Sequence, residues 1–407
     1  MPRRRRWKPV RGTGSRIYDP VERLAVAALD LPGRLAFGAG RRLGLGRTPA
    51  LDPAAVRDVL VLRLDRIGDV LMSRDALADL RAAFPAARMR LAVGRWSQPL
   101  AASLPVDEVL VWSAPWVGRA SEGAQGLSTL LRAAWSLRAT PPDLAVDLQG
   151  DVRAAILMWL SGARIRVGYA NTGGGYLLTH VVALDETVAW PEQNRRAVAV
   201  FGGSGRPPDP LTAGERAAAG RRLAALGIAE RRPLVGVHPS GGRSIKQWAP
   251  ERWSEVAGRL QREFGATIVI TGSTADAPLA RRVGSGLAAP AIDLTGQLDV
   301  REVLALIGAL DLFLSPDTGP AHMACAVGTR SVAVFGPSDP VRYFSGGSDP
   351  RHAAVRPELW CAPCNLIRRP PRECQGPQGP ECLSQVSVDA VYREAARLLR
   401  DARGARP

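Results

Sequence analysis

The chain has 407 residues, 46% of them hydrophobic, and a formal net charge of +16, a length that suits two domains of ordinary size. No apolar run reaches about 18 residues, which excludes a spanning helix, and the basic start MPRRRRWKPVRGTGSR leads into neither an apolar h-region nor a cleavage site, so no secretory signal is expected. A cytoplasmic protein follows, in which five cysteines are not read as a disulfide framework, and with only 5% aromatic residues and no recognition motif, nucleic acid is not an expected partner.

Residues 1–56 form a basic N-terminal extension. Twelve Lys and Arg against four Asp and Glu give +8, half of the total charge. Within it, Val21–Leu45 is partly amphipathic, with arginines among Leu, Val and Phe. Two readings stand: a peripheral anchor on an anionic membrane surface, at the inner face of the cytoplasmic membrane, or a solvated extension. Pro32, Gly33, Gly38 and Gly40 are expected to interrupt any long helix here.

From residue 57 the pattern alternates. Strands are predicted at Val59–Leu64, Met89–Val93, Val109–Trp112, Leu144–Asp147 and Ile165–Val167. Helices are predicted at Val70–Phe84, Leu127–Leu137, Val152–Leu160 and Glu192–Phe201. Gly202–Pro210, GGSGRPPDP, reads as a linker. After a helix at Gly214–Leu226 come strands at Leu234–His238, Thr267–Thr271, Leu312–Ser315 and Ser331–Phe335. The helices of this half are Pro250–Phe264, Ala277–Leu287, Val300–Leu310 and His322–Val327. Two βα series across a linker predict an α/β protein of two doubly wound, Rossmann-like domains facing a cleft, residues 57–205 and 206–386. A C-terminal helix and tail, 387–407, carries Val391, Ala395 and Leu398 on one face.

Where the first strand gives way to a helix stands Ile67-Gly68-Asp69. Asp is a favoured helix cap and Gly eases a tight turn. Ligands of open α/β sheets, however, bind outside the carboxyl ends of the strands. There Gly68 would let a substrate approach the backbone, and Asp69 would face the crevice. The second half has three glycine- or hydroxyl-rich loops at strand ends: VHPSGGRSIKQW with Ser240, Gly241 and Lys246; ITGSTADAP with Gly272 and Asp276; and LSPDTGPAH with Asp317, Thr318, Gly319 and His322. Each can aim backbone N–H groups at an anion from a helix start. Of 54 Lys and Arg, only Lys8 and Lys246 are lysine, so the single lysine of the folded body lies in one of these loops. GGRSIK lacks the P-loop spacing, and GTGSR and GLGR in the extension follow no strand, so no dinucleotide fingerprint is supported. No two aspartates are separated by one residue, which removes a short acidic metal-holding motif. Lys246 and a helix N-terminus would then neutralise a leaving phosphate.

These residues also carry a resemblance. RLDRIGDVLMSRDALADLRAAFP, HPSGGRSIKQWAPERW, DLTGQLDVREVLALIGALDLFLSPDTGPAHMACAVGT and VAVFGPSDPVRY resemble the ADP-heptose:lipopolysaccharide heptosyltransferase family (glycosyltransferase family nine), in order from about Val59 to Val391. The resemblance implies a GT-B fold, with the acceptor on the first domain and the nucleotide sugar on the second. It implies inverting, metal-independent transfer of a heptose or related sugar from an ADP-sugar to a hydroxyl of a lipopolysaccharide-core or other glycan or glycolipid acceptor. Residue by residue, it implies Asp69 as the catalytic base and Lys246 as the phosphate-contacting lysine. Asp317, Thr318 and Gly319 become the donor loop, Asp276 a contact to the ribose, and His322 the motif histidine, whose role can equally be structural. The basic extension and Arg-rich first half depart from the lipopolysaccharide enzymes, so a protein or small-molecule acceptor stays open. Further alternatives are a nucleotide-sugar epimerase on the same fold and a non-catalytic nucleotide-sugar-binding protein. No cofactor is expected for catalysis.

The segment 361–382, CAPCNLIRRPPRECQGPQGPEC, holds Cys361, Cys364, Cys374 and Cys382. Two cysteines separated by two residues, then two more close behind, can place four thiolates around one structural zinc or iron. Buried cysteines also simply pack. Some heptosyltransferase-like enzymes that modify bacterial surface proteins are similar in carrying a C-terminal four-cysteine iron site.

Overall fold

A computed structural model describes residues 20–42, 52–117, 123–367, 374 and 381–404, which fall into two units, one within Val10–Pro208 and one within Asp209–Pro407. In the first, β1 (Asp58–Leu62), β2 (Arg88–Val93), β3 (Glu108–Val111), β4 (Leu144–Asp147), β5 (Ile165–Tyr169) and β6 (His180–Val182) form one parallel sheet in the order β3-β2-β1-β4-β5-β6. Val59–Leu62 are wholly buried, because helices cover both faces of a parallel sheet and its central strand must be apolar on both.

The second unit repeats the winding. β7 (Leu234–Val237), β8 (Thr267–Ile270), β9 (Ile292–Asp293), β10 (Leu312–Pro316), β11 (Ser331–Val334) and β12 (His352–Val355) lie in the order β9-β8-β7-β10-β11-β12, again parallel. The last helix, Val388–Gly404, packs Val391, Ala395 and Leu398 into this unit's core beside Trp248 and Trp253, whose rings meet edge to face at 4.7 Å. Trp248 Nε1 donates to Val386 O (3.2 Å), fixing the approach to that helix.

Three departures from the sequence reading have local causes. The helix expected over Val70–Phe84 is two, Ile67–Leu71 and Arg74–Ala83. Between them the buried Ser73 hydroxyl donates to Asp69 O (3.0 Å) and accepts from Asn194 Nδ2 (3.3 Å), diverting the backbone from a continuous ladder. β6, β9 and β12 are edge or near-edge strands of two to four residues, too short to register a period. Finally, Pro20–Arg42 is one helix of 23 residues through Pro32, against the expectation of interruption. Its contacts to the first unit outweigh its poor propensity: Asp30 Oδ1 accepts the Gly174 N–H (2.7 Å), and Phe37 packs on Tyr176 and Trp159 at 5.3 and 6.1 Å between centroids.

Candidate active site

In each sheet the strand order reverses at one place, between β1 and β4 in the first unit and between β7 and β10 in the second. That reversal opens a crevice at the carboxyl ends of the strands. Leu62 pairs with Asp147, so the segments Arg63–Asp69 and Asp147–Asp151 emerge together. Arg63, only 2% exposed, ties them to each other. Its Nε donates to Asp69 O (3.1 Å), Nη1 donates to Leu148 O, and Nη2 stands 3.5 Å from Asp69 Oδ1. Asp65 Oδ2 lies 3.6 Å from the same guanidinium.

Asp69 is the third residue of the Ile67–Leu71 helix, and Arg66 occupies the N-cap. Its Oδ2 accepts the Arg66 N–H (3.2 Å), as the acidic member of a capping box does. The capping reading thus accounts for one oxygen; the other sits loosely beside Arg63, and the side chain keeps 30% of its surface exposed. Gly68 is buried in the same turn. Around this turn arginines lie on indoles: Arg66 over Trp96 at 5.2 Å and Arg153 over Trp116 at 4.6 Å. Burial, then the charge of Asp69, raises the Asp65 carboxyl. Asp147 is pushed up to about 7 by burial and by Asp151, although Gln149 and Gly150 donate N–H groups to it at 2.8 and 2.9 Å.

The second crevice is built alike and filled differently. Val237 pairs with Leu314, so the loops after β7 and β10 adjoin. Lys246 Nζ donates to Asp317 Oδ2 at 2.6 Å. Burial alone would raise the Asp317 carboxyl, but the Lys246 charge and hydrogen bond reverse this and lower it. Gly241 is required by close approach, since a Cβ there would lie 2.6 Å from the Lys246 carbonyl carbon. The Gly319–Val327 helix has Thr318 at its N-cap, and the Thr318 hydroxyl donates to Pro316 O (3.3 Å) instead of capping. In the loop after β8, Asp276 Oδ2 accepts the Ser273 N–H (2.8 Å) and hydroxyl (2.7 Å). Burial pushes the Asp276 carboxyl up, and hydrogen bonds from Ser273 and Ser240 bring it below its ordinary value. Gly272 lies against Asp276, where a Cβ would come within 2.9 Å of the aspartate's own.

All nine residues expected to hold the donor therefore stand at or just beyond the carboxyl ends of β7, β8 and β10. His322 is buried, its Nδ1 hydrogen-bonded to Ser345 Oγ (2.9 Å). The sequence reading missed Arg63, Asp65, Asp147, Asp151 and the half-buried His238, which hydrogen-bonds Thr271 Oγ1 (3.2 Å) and is pushed down to about 4 by burial. The available signals were a lone arginine inside one apolar run and an aspartate ending another.

The Cys382 thiol is pushed up to about 12 by burial, then by Cys364, Cys374 and Cys361, so the four cysteines lie within electrostatic reach. Leu366 N–H donates to Cys364 Sγ (3.5 Å). Among the described residues, however, no three His, Cys, Asp or Glu side chains are gathered closely enough to hold a metal ion.

The model of glycosyltransferase family 9 (heptosyltransferase) matches residues 130–371, more than half of the chain. The chain belongs to that family. It is 26% identical over 301 residues to lipopolysaccharide heptosyltransferase 2 of Escherichia coli (strain K12), covering 69% of this chain and 83% of that protein. Among solved structures it is similar to a glycosyl transferase family 9 protein from Veillonella parvula DSM 2008 (TM-score 0.69, 22% identity, 85% of this chain and 97% of that one). It is also similar to the E. coli ADP-heptose lps heptosyltransferase II (TM-score 0.64, 22% identity, 85% and 99%). The enzyme is thus a glycosyltransferase of the GT-B fold class. The matched stretch takes in the Lys246 and Asp317 loops and begins beyond Arg63–Asp69.

Proposed function

We propose that the enzyme moves a heptose or related sugar, with inversion and without a catalytic metal, from an ADP-sugar to a hydroxyl of a lipopolysaccharide-core or other glycan acceptor. The observation that carries this reading is the pair of crevices: a partly open carboxylate at the reversal of one sheet, and a lysine with glycine-rich loops at the reversal of the other. The acceptor oxygen attacks the anomeric carbon on the face opposite the ADP oxygen. As the new C–O bond forms, Asp69 takes the hydroxyl proton and the bond to the pyrophosphate breaks, its electron pair leaving with ADP. A positioned base contributes about 10²–10⁴ in rate. Lys246 turns from Asp317 toward the departing pyrophosphate, joined by N–H groups at the start of the Gly319–Val327 helix. One such donor contributes about 10²–10³. Asp276 accepts from the ribose hydroxyls. Ser240, Gly241, Gly272 and Thr318 complete the cradle, His322 steadies it through Ser345, and Gly68 leaves the acceptor room.

A lipid-linked acceptor would be met at the inner face of the cytoplasmic membrane; among the described residues no helix is long and apolar enough to cross a membrane. We also propose that the four cysteines hold a structural zinc or iron. The all-thiolate donor set suits a closed tetrahedral site, the sulfurs must draw closer to form it, and no catalytic step runs through it.

The test is a mass-spectrometric screen of nucleotide sugars with lipopolysaccharide-core acceptors. Acceptor-dependent use of ADP-heptose that survives EDTA supports the reading. Loss of activity in EDTA, restored by magnesium or manganese, or turnover of the donor without acceptor into an epimer, overturns it.

A further inference from the structure

The Pro20–Arg42 helix carries two stripes of the same spacing. Val26, Asp30, Gly33 and Phe37 follow one another by four, three and four residues, a single helical face, and they are the residues seated on the first unit. Val26 borders Gly173, Asp30 accepts from Gly174, Gly33 lies so close to the Tyr176 ring that a Cβ would overlap it, and Phe37 packs on Tyr176 and Trp159. Displaced by two residues, about 200° around the helix, Leu24, Ala28, Leu31 and Leu35 repeat the spacing on the opposite face. The three leucines are 71%, 64% and 66% exposed.

Apolar side chains aligned on a surface in this way mark a site of interaction. What covers them is indicated by their own chemistry and by the charge around them. Phe37 touches Trp159, and the Arg138 guanidinium lies over both Trp159 (5.8 Å) and the exposed Trp135 (4.2 Å). Exposed leucines, and on the same unit an exposed indole with an arginine laid across it, suit the boundary between acyl chains and head groups, where each side chain keeps its apolar body in and its polar end out. Charge selects the surface. Residues 1–56 carry +8, and Arg34 of this helix is exposed, which complements anionic lipid and would repel a second copy of the same segment.

We propose that the Leu24–Leu31–Leu35 face docks on an anionic phospholipid surface with the helix lying in the membrane plane. This gives a site to the membrane encounter proposed above and holds whatever sugar is transferred. The full chain should float with vesicles of equimolar phosphatidylglycerol and phosphatidylethanolamine, far less with phosphatidylcholine, and less as salt is raised. Replacing Leu24, Leu31 and Leu35 together by Ser should weaken partitioning by about tenfold or more per leucine removed from the apolar phase. Thermal unfolding and ADP binding should stay unchanged. No binding by the parent chain, equal binding to phosphatidylcholine, or undiminished binding by the triple-Ser chain overturns the proposal. So does a dimer in light scattering that the triple-Ser chain alone breaks, because a second copy then covers the face. Transfer to a soluble acceptor without vesicles should persist in the triple-Ser chain, so failure of docking leaves the proposed reaction standing.

Discussion

The two units wind six parallel strands in the same order, and each places its polar groups where that order reverses, but the groups differ in character. In the first unit Asp65, Asp69, Asp147 and Asp151 crowd around one buried guanidinium, Arg63. In the second a lysine and an aspartate pair at 2.6 Å among glycine-rich loops, and His238 at the end of β7 is pushed down to about 4 by burial. Burial and neighbouring like charge raise the Asp65 and Asp147 carboxyls, which favours their gaining a proton. An ammonium group near helix-start N–H groups favours an anion. In the proposed reaction the fold sets where chemistry happens, and the loops set which half of the transfer each crevice would perform.

Asp69→Asn breaks the comparison most directly. The amide oxygen can keep accepting the Arg66 N–H, so the turn should survive and ADP binding should be unchanged, while turnover falls at least about a hundredfold. Near-normal turnover would leave Asp69 a helix-stabilising residue alone. Lys246→Ala should slow transfer by about a hundredfold and weaken ADP binding. It also strands the buried Asp317 carboxylate, at up to about 3 kcal/mol, the low end for a broken buried pair because Lys246 is itself partly exposed. Adding Asp317→Ala should restore stability and leave ADP binding weak. Recovery of binding in that double variant would make the pair structural.

Much of this contrast was legible in the residues. Asp69 drew notice because Gly68 and an apolar strand precede it, and Lys246 because the folded body otherwise uses arginine. Arg63 did not, since its partner Leu148 lies 85 residues away and only the pairing of β1 with β4 brings them together. Asp147 and Asp151 were hidden for the same reason: a carboxylate at a strand end is ordinary until the strand order is known. The Pro20–Arg42 helix was misread because its stabilising contact, Asp30 to Gly174, spans 144 residues and is invisible to local propensity.

A smaller effect tests the cysteines, which belong to the second unit alone. Cys361→Ser should lower the thermal midpoint by several degrees, as loss of a structural metal ligand does, and release close to one zinc or iron per chain on elemental analysis. Asp69-dependent chemistry should be spared. A fully active, metal-free parent chain with four titratable thiols would reduce the cluster to packing.

The finest test is the response of each unit to acid. In the first, Asp147 is raised from 3.8 to about 7, chiefly by burial, and Asp65 is raised as well. The folded unit then binds more protons than the unfolded chain between those values. Its stability from these groups is full below the ordinary carboxyl pKa and is lost as pH rises through about 7. In the second, burial lowers His238 and His352 from 6.5 to about 4. Here the unfolded chain binds more protons, so stability is present above 6.5 and is lost as pH falls toward 4. Asp317, lowered by Lys246, adds to that loss only below its ordinary value of 3.8. Acidifying from neutrality should therefore protect β1 and β4 and expose β7 and β8. Hydrogen exchange, corrected for its intrinsic pH dependence, reads both in one sample. Asp147→Asn should flatten the first slope and His238→Asn the second. Parallel slopes in the two sheets would mean that their electrostatic difference is confined to the surface, and the opposition between a proton-taking and an anion-holding crevice would lose its physical basis.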